Sequence, residues 1–192
     1  GSGHKLCGPT GIGFLWSRKK ILEKIPPLFG GGEMIQDVFE ETSTWAELPH
    51  KFEAGTPAIA EAIGLAEAIN YINTIGLNEI HEYEKTITKY LFEKLTQIEN
   101  VEIIGPSPEI DPDRASLATF YIKNIHSNDI AEILDSKGIC IRSGHHCCQP
   151  LHRYIGIKST ARISMNFTTN KEEIDVFIEK LKDTIDFLKI NS

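Results

Sequence analysis

Apolar positions recur every three or four residues over three long stretches of the chain. The first stretch covers residues 58–76 and the second covers residues 77–98. The third follows Asn170, which forms the pattern of a capping box with Glu173 three positions later. Because this period places the apolar side chains on one face of an α-helix, the pattern predicts three long helices.

Shorter apolar runs lie between the second and third helices and predict strands. A helical stripe among them begins at Ser127, the predicted N-cap, and ends at Gly138. Residues 33–57 show little periodicity, which predicts an extended, irregular segment. The predicted strands are 12–16, 101–104, 117–122, 139–142 and 161–166, and a charged turn of helix is predicted at 18–24.

Composition and charge narrow the possible classes of protein. With 41% hydrophobic and 24% charged residues, the chain has the composition of a globular protein. A net charge of −7 argues against a nucleic-acid partner, and no apolar run approaches the roughly 20 residues of a membrane span. The four cysteines do not form the pattern of a secreted disulfide scaffold, so a reducing compartment is expected. The chain begins with Gly1-Ser2, without an initiator Met, and shows no secretory leader. We therefore expect that a natural N-terminal part is absent.

The closest grouping of potentially reactive side chains lies in residues 138–148, GICIRSGHHCC. A thiolate is the reactive form of cysteine, and neighbouring cations favour it. Arg142, His145 and His146 are therefore suitable neighbours for a nucleophilic Cys147. A buried structural thiol and a metal site are the alternatives, although four adjacent ligands are poorly spaced for tetrahedral zinc.

Three further positions carry candidate chemistry, each with an ordinary structural alternative. Lys5 is a candidate amine nucleophile with Ser2 and His4 as phosphate donors, or it is a surface lysine in a turn. Thr56 precedes a predicted helix and is either a phosphate ligand or a helix cap. Arg162 in a predicted strand can hold a carboxylate, or it is a surface arginine.

Together and in this order, the motifs SGHK, GPTGIG, GGGEMI, FEAGTP, RSGHHC and TARISMNFTTNKEEID resemble the C-terminal half of group II cysteine desulfurases. The resemblance covers essentially the whole chain. These enzymes belong to the class-V aminotransferase family, depend on pyridoxal 5'-phosphate and serve iron–sulfur cluster assembly. The resemblance implies an α/β chain of the pyridoxal-phosphate fold type I, located in the bacterial cytosol or the plastid stroma.

The resemblance also implies roles for the residues that bind the cofactor. Lys5 matches the lysine that bonds covalently to pyridoxal phosphate and acts in catalysis, and His4 and Ser2 match neighbours of its ring or phosphate. Thr56 matches the threonine that reaches the cofactor of the partner subunit, which implies a homodimer.

The remaining matches concern the substrate. Cys147 matches the nucleophile that takes sulfur from L-cysteine, releases L-alanine and holds a persulfide for an acceptor protein. Arg162 matches the arginine that binds the substrate carboxylate, and Arg142, His145 and His146 are expected beside the same pocket. The resemblance therefore predicts that the Cys147 sulfur and the Lys5 amine face one pocket. We expect no metal site, because of the poor spacing of the HHCC run.

By the same resemblance, residues 1–57 are a remnant of the large cofactor-binding domain, 58–98 are connecting helices and 99–192 form a small α+β domain. The family's N-terminal half supplies other cofactor contacts, so we expect this chain alone to bind pyridoxal phosphate poorly and to show no turnover. The family commonly has a small residue at Cys148. We expect Cys148 to be inert, and the alternative is that it traps the persulfide in a vicinal disulfide.

Two other functions remain open from the sequence. One is another class-V enzyme, such as a selenocysteine lyase or a kynureninase-like hydrolase. The other is a non-catalytic module that dimerises, docks an acceptor protein or binds a metal through the HHCC run.

Overall fold

Gly76 separates two helices and marks the division of the chain into two compact units. The computed structural model describes residues 1–190. The first unit ends at Gly76 and the second begins at Leu77, so the two helices predicted as one connecting region belong to different units. Each unit has its own architecture.

The first unit has little regular structure. The predicted strand 12–16 is absent, and the backbone there makes only an isolated bridge between Ser2 and Gly13. Phe14, Leu15 and Trp16 remain exposed, and none of them belongs to a strand. In chain order the elements are a 3-10 turn (Gly3–Leu6), α1 (Lys19–Leu22), β1 (Ile35–Val38), β2 (Ser43–Trp45), a second 3-10 turn (His50–Phe52) and α2 (Ile59–Ile75).

The segment predicted to be irregular contains an antiparallel hairpin, so that prediction is wrong for β1 and β2. The hairpin is fastened by the Asp37 main-chain N–H, which donates to the Thr44 hydroxyl at 3.0 Å, and by that hydroxyl, which donates to the Asp37 carboxylate at 3.2 Å. Its strands have only four and three residues, too few to show the alternation by which strands are recognised.

Helix α2 confirms the prediction for residues 58–76 and packs closely on the N-terminal turn. A Cβ atom at Gly8 would lie 3.0 Å from the Leu65 side chain, and one at Gly64 would lie 3.2 Å from Pro9. These glycines therefore permit the close approach of helix and loop. Leu65 and Ile72 are buried in this unit.

The second unit is a four-stranded antiparallel sheet with helices packed on it. The strand order is β3-β4-β6-β5, with every neighbouring pair antiparallel. The elements are α3 (Leu77–Leu95), β3 (Val101–Ile104), β4 (Leu117–Ile122), α4 (Ser127–Ser136), β5 (Arg142–Gly144), α5 (Gln149–Ile155), β6 (Thr160–Ser164) and α6 (Lys171–Ile190).

The core of this unit is formed by the predicted stripes of the helices and by one face of the sheet. Strand β4 alternates between buried and half-buried side chains, and Phe120 on it is fully buried against Phe177 of α6. The other buried core residues are Ile87, Leu91, Phe92, Leu95, Ile98, Ala118, Ile122, Ile130, Leu134, Ala161, Ile174, Ile178, Leu181 and Ile185.

The predicted capping box of α6 is confirmed, whereas the predicted cap of α4 is wrong. The Asn170 main-chain N–H donates to the Glu173 carboxylate at 2.9 Å, and the Glu173 N–H donates to the Asn170 side chain at 2.8 Å. At α4 the cap is His126, whose Nδ1 accepts from the Asn128 N–H at 3.2 Å, and Ser127 is the first helical residue. A membrane span needs about 20 apolar residues, and no helix within residues 1–190 is both long and apolar enough.

Strands β5 and β6 begin and end differently from the predictions. The ladder of β5 starts only at Arg142, three residues later than predicted, and β6 covers residues 160–164 instead of 161–166. As a result Arg142 lies directly opposite Arg162 in the register of the two strands. This pairing places the two arginines side by side, Arg142 on the edge strand β5 and Arg162 on the next strand, β6.

Candidate active site

The loop between β5 and α5 carries Cys147 at an exposed tip. Its backbone takes positive φ angles at Gly144 (108°), His146 (52°) and Cys147 (61°). For residues with a Cβ atom this left-handed conformation costs on the order of 1–2 kcal/mol each, so neighbouring groups must hold it. The Cys148 N–H donates to the His145 carbonyl at 2.9 Å and closes the turn. Cys147 is exposed and forms no disulfide with another described cysteine.

The Arg142 guanidinium lies beside the sulfur of Cys147. Its Nη2 donates to Sγ over 3.5 Å, so the loop folds back onto the strand that precedes it. A cation at this distance stabilises negative charge on the sulfur. The structure therefore places Arg142 next to Cys147, and the role of this contact in catalysis stays a prediction.

Arg162 adds a second guanidinium on the neighbouring strand. The side chains of directly opposite residues project from the same face of a sheet, so Arg142 and Arg162 share one face. The Nε of Arg162 is buried and has no hydrogen-bond partner within residues 1–190. Two adjacent like charges with an unused donor form a suitable receptor for a carboxylate.

His146 is the half-buried member of the histidine pair. Neither ring nitrogen has a hydrogen-bond partner among the described residues. Burial lowers the pKa of His146, and the positive charges of Arg162 and Arg142 lower that pKa further, while a backbone group of Thr160 opposes the change. His146 is therefore neutral at pH 7 and adds no third positive charge.

His145 is exposed and lines the open depression around Cys147. The depression measures about 460 Å³. No cluster of three His, Cys, Asp or Glu side chains suited to a metal ion occurs within residues 1–190. The residues lining the depression are Arg142, Ser143, His145, His146, Cys147, Gln149 and Pro150.

His152 is a site residue that sequence analysis did not identify. It is 5% exposed, and its ring lies 5.5 Å from the ring of His145 and 6.1 Å from that of His146, measured between centroids. Cys148 points toward it, with 3.9 Å between Sγ and the ring Nδ1. The available signal was a histidine one helical turn after Cys148, but its hydrogen-bond partner Thr160 lies on β6, a separate element.

The first unit carries Ser2, His4 and Lys5 on its N-terminal turn. Gly3 is buried, and a Cβ atom there would lie 2.9 Å from Ile12, so only glycine fits this position. The amine of Lys5 is exposed and has no hydrogen bond or ion pair within residues 1–190. The turn therefore presents a free amine on a closely packed backbone.

Thr56 is exposed in the loop before α2 and does not cap that helix. The N-cap position belongs to Ala58, which has no side-chain hydrogen bond. Gly55 takes a φ of 78°, and its N–H donates to the Gly32 carbonyl at 2.9 Å. The hydroxyl of Thr56 is therefore available to a ligand.

The predicted residues are distributed over the two units. The second unit brings together the thiol, the two arginines and the two histidines, and the first unit carries the amine, its neighbours and Thr56. The residues of the second unit are Arg142, His145, His146, Cys147 and Arg162, and those of the first are Ser2, His4, Lys5 and Thr56.

Comparison with known proteins places the chain in a family. It is 53% identical over 186 residues to a probable cysteine desulfurase from Synechocystis sp., an alignment that covers 97% of this chain and 44% of that protein. The structure matches a cysteine desulfurase from Thermococcus onnurineus (TM-score 0.87, 38% identity, 96% of this chain and 46% of that one). It also matches the Escherichia coli cysteine desulfurase CsdA (TM-score 0.87, 30% identity, 97% of this chain and 45% of that one).

The chain thus spans less than half the length of the curated relatives that it matches. The profile of the aminotransferase class-V family matches residues 1–177, which include every predicted site residue. The chain therefore belongs to the class-V aminotransferase family.

Proposed function

We propose that the full-length protein containing this chain is a cysteine desulfurase, which converts L-cysteine to L-alanine and holds the sulfur as a persulfide on Cys147. The observation that carries the proposal is the exposed thiol of Cys147 with the Arg142 guanidinium 3.5 Å from its sulfur. The relative from Synechocystis sp., which shares 53% identity, is described as a probable cysteine desulfurase and supports this assignment.

We assign the substrate carboxylate to the paired arginines. Arg162 offers a buried Nε without a partner among the described residues, and Arg142 lies opposite it across the β5–β6 pair. A planar guanidinium matches the two oxygens of a carboxylate. Because His146 is neutral, it can accept a proton in this site and does not compete for the carboxylate.

We propose pyridoxal 5'-phosphate as the cofactor. Lys5 would bond to it covalently, His4 and Ser2 would contact its ring or phosphate, and Thr56 would reach the phosphate in the partner subunit. The residues present fit this group, since the Lys5 amine is free and the Thr56 hydroxyl does not cap α2. When bound, the cofactor supplies the electron-accepting ring that loosens the bonds around the substrate Cα and Cβ.

The chain's own residues then perform two tasks. Lys5 Nζ moves the proton of the substrate Cα. Cys147 Sγ attacks the substrate sulfur, so that a sulfur–sulfur bond forms while the bond between that sulfur and the substrate Cβ breaks. The electron pair of the broken bond stays with the carbon skeleton, which takes up one proton at Cβ, in exchange for the proton that the Cys147 thiol loses on becoming a thiolate. Lys5 Nζ returns the other proton to Cα, and the product leaves as alanine.

We also propose that the full-length protein works as a homodimer in the bacterial cytosol or the plastid stroma. It would pass the persulfide sulfur to an acceptor protein for iron–sulfur cluster assembly. The exposed position of Cys147 supports this transfer, since an incoming thiolate must reach the terminal sulfur of the persulfide.

The experiment that tests the proposed function compares Cys147→Ala with Cys148→Ala in the full-length holoenzyme. Alanine release from L-cysteine should be abolished in the first variant and retained in the second, because the Cys148 thiol points toward His152 and the Cys147 thiol toward Arg142. Alanine is measured in single-turnover and steady-state assays. Equal loss in both variants contradicts the assignment of Cys147.

A further inference from the structure

His152 connects three separate parts of the second unit. It lies on α5, its Nδ1 is 3.2 Å from the Cys148 carbonyl oxygen, and its Nε2 is 3.1 Å from the Thr160 hydroxyl on β6. His152 is 5% exposed and Thr160 is fully buried. A buried histidine with a partner at each nitrogen fixes the positions of both partners.

The chemistry of these partners assigns the protons of the ring. A carbonyl oxygen only accepts hydrogen bonds, so Nδ1 carries the proton and donates to Cys148. Nε2 is then the acceptor, and the Thr160 hydroxyl donates to it. Thr160 thus selects the ring form that fastens the loop.

Cys148 completes the attachment from the loop side. Its thiol donates to the His145 carbonyl at 3.0 Å, and its main-chain N–H donates to the same oxygen at 2.9 Å. The left-handed residues His146 and Cys147 lie between His145, whose carbonyl accepts from Cys148, and Cys148, whose carbonyl contacts His152. The loop therefore keeps its left-handed backbone because both of its ends are held.

We propose that His152 and Thr160 are positioning residues for the Cys147 loop, which they hold so that the Cys147 sulfur stays beside Arg142 and in line with the substrate sulfur. This inference rests on the proposed function. It assigns Cys148 to the same attachment through its main-chain carbonyl, which lies 3.2 Å from the His152 ring and which Cys148→Ala retains.

The decisive experiment is Thr160→Val in the full-length holoenzyme, which removes the hydroxyl and keeps the shape. The rate of persulfide formation on Cys147 should fall by about tenfold or more, because small displacements of a reacting group are costly. The KM for L-cysteine should stay within about twofold, since the arginines are untouched. The exchange of the alanine Cα hydrogen with deuterated solvent should be unchanged, because it depends on Lys5 and not on Cys147.

Thr160→Ser and Thr184→Val are the matched controls. Serine restores the hydroxyl and should recover the rate. Thr184 is also fully buried and donates its hydroxyl to the Lys180 carbonyl at 2.7 Å within α6, so its valine variant should lose stability without this kinetic pattern. The inference is overturned when Thr160→Val forms persulfide at the wild-type rate, or when persulfide formation and hydrogen exchange fall in parallel.

A second pair of variants keeps the test decisive when Thr160→Val does not fold. His152→Asn retains an N–H near the Cys148 carbonyl, and His152→Leu does not. Persulfide should form faster in the asparagine variant, and equal rates overturn the inference. A wild-type enzyme that never forms a persulfide on Cys147 would instead defeat the proposed function itself.

Discussion

The two units differ in how much of their apolar surface they bury for themselves. The second unit encloses sixteen hydrophobic residues in one cluster, whereas Met34, Leu65 and Ile72 are the only hydrophobic residues buried in the described part of the first unit. Trp16 and Leu28 of the first unit are 81% and 85% exposed. Exposed apolar surface of this extent is typical of a face that packs against another part of a protein.

The two units also differ in how they hold their candidate catalytic residues, Cys147 in the second unit and Lys5 in the first. In the second unit the His152 ring contacts the Cys148 carbonyl beside the Cys147 loop, and the same ring is hydrogen-bonded to the Thr160 hydroxyl. The first unit presents Lys5 on a single 3-10 turn, which is held mainly by backbone contacts such as the Gly3 N–H to the Ile12 carbonyl at 2.9 Å. The second unit therefore supplies the contacts around Cys147 from its own side chains, whereas no side-chain hydrogen bond within residues 1–190 holds Lys5 in the first.

The strongest test of this comparison is to divide the chain at Gly76. Residues 77–192 should unfold in a single cooperative thermal transition, because their helices and sheet enclose one core. Residues 1–76 should show no such transition, since they bury too little apolar surface to offset the loss of chain entropy. Circular dichroism during heating measures both. A cooperative transition in residues 1–76 would show that the comparison is wrong.

Cofactor binding by the chain of 192 residues is the next test. We expect little or no binding of pyridoxal phosphate, because Lys5 is exposed in the first unit. The measurement is the visible absorbance of the lysine-bound cofactor after dialysis. A clear band that Lys5→Ala removes would contradict this expectation, and Lys20→Ala is the control at an exposed lysine of α1.

The same contrast explains which elements could be predicted from the sequence. The long helices follow from amphipathic periodicity, and the cap of α6 follows from the local pair Asn170 and Glu173. The strand 12–16 could not be judged in this way, because an apolar run becomes a strand only beside a partner strand. The hairpin β1–β2 is too short for its alternation to be detected.

Some contacts of the site also could not be predicted from sequence patterns. Cys147, Arg142 and His146 lie within one short segment, so their proximity follows from the sequence. The contact of His152 with Thr160 depends on where α5 ends and β6 begins, and no local rule fixes that distance. The pairing of Arg142 with Arg162 likewise follows from strand register, and the predicted start of β5 was three residues too early.

Matched side-chain truncations give a quantitative version of the comparison. Phe120→Ala in the second unit should lower the free energy of unfolding by about 3–5 kcal/mol, because Phe120 is fully buried against Phe177. Leu28→Ala in the first unit should change it by less than about 0.5 kcal/mol in this chain, since Leu28 is 85% exposed. Urea denaturation measures both. A cost above 2 kcal/mol for Leu28→Ala, on the order of a buried leucine, would contradict the contrast.

The smallest expected effect is a pH dependence that originates in the second unit. The folded protein lowers the pKa of His146 by burial and by the charges of Arg162 and Arg142. Below the ordinary value of about 6.5, the unfolded chain therefore binds a proton at this residue that the folded chain does not bind. Stability should therefore fall as the pH decreases from about 6.5, and it should level off once His146 is protonated in the folded state as well. Above about pH 6.5, His146 should cause no change of stability with pH.

The variant His146→Gln should lose this part of the pH dependence, because glutamine does not titrate. The midpoint of thermal unfolding is measured at several pH values above and below about 6.5, the ordinary pKa of histidine. All the groups that cause the shift lie in the second unit, so the same difference between wild type and variant should appear in residues 77–192 alone. Identical pH profiles for wild type and variant would mean that His146 is as easily protonated in the folded protein as in the unfolded chain. Its neutral state beside the two arginines would then have to be abandoned.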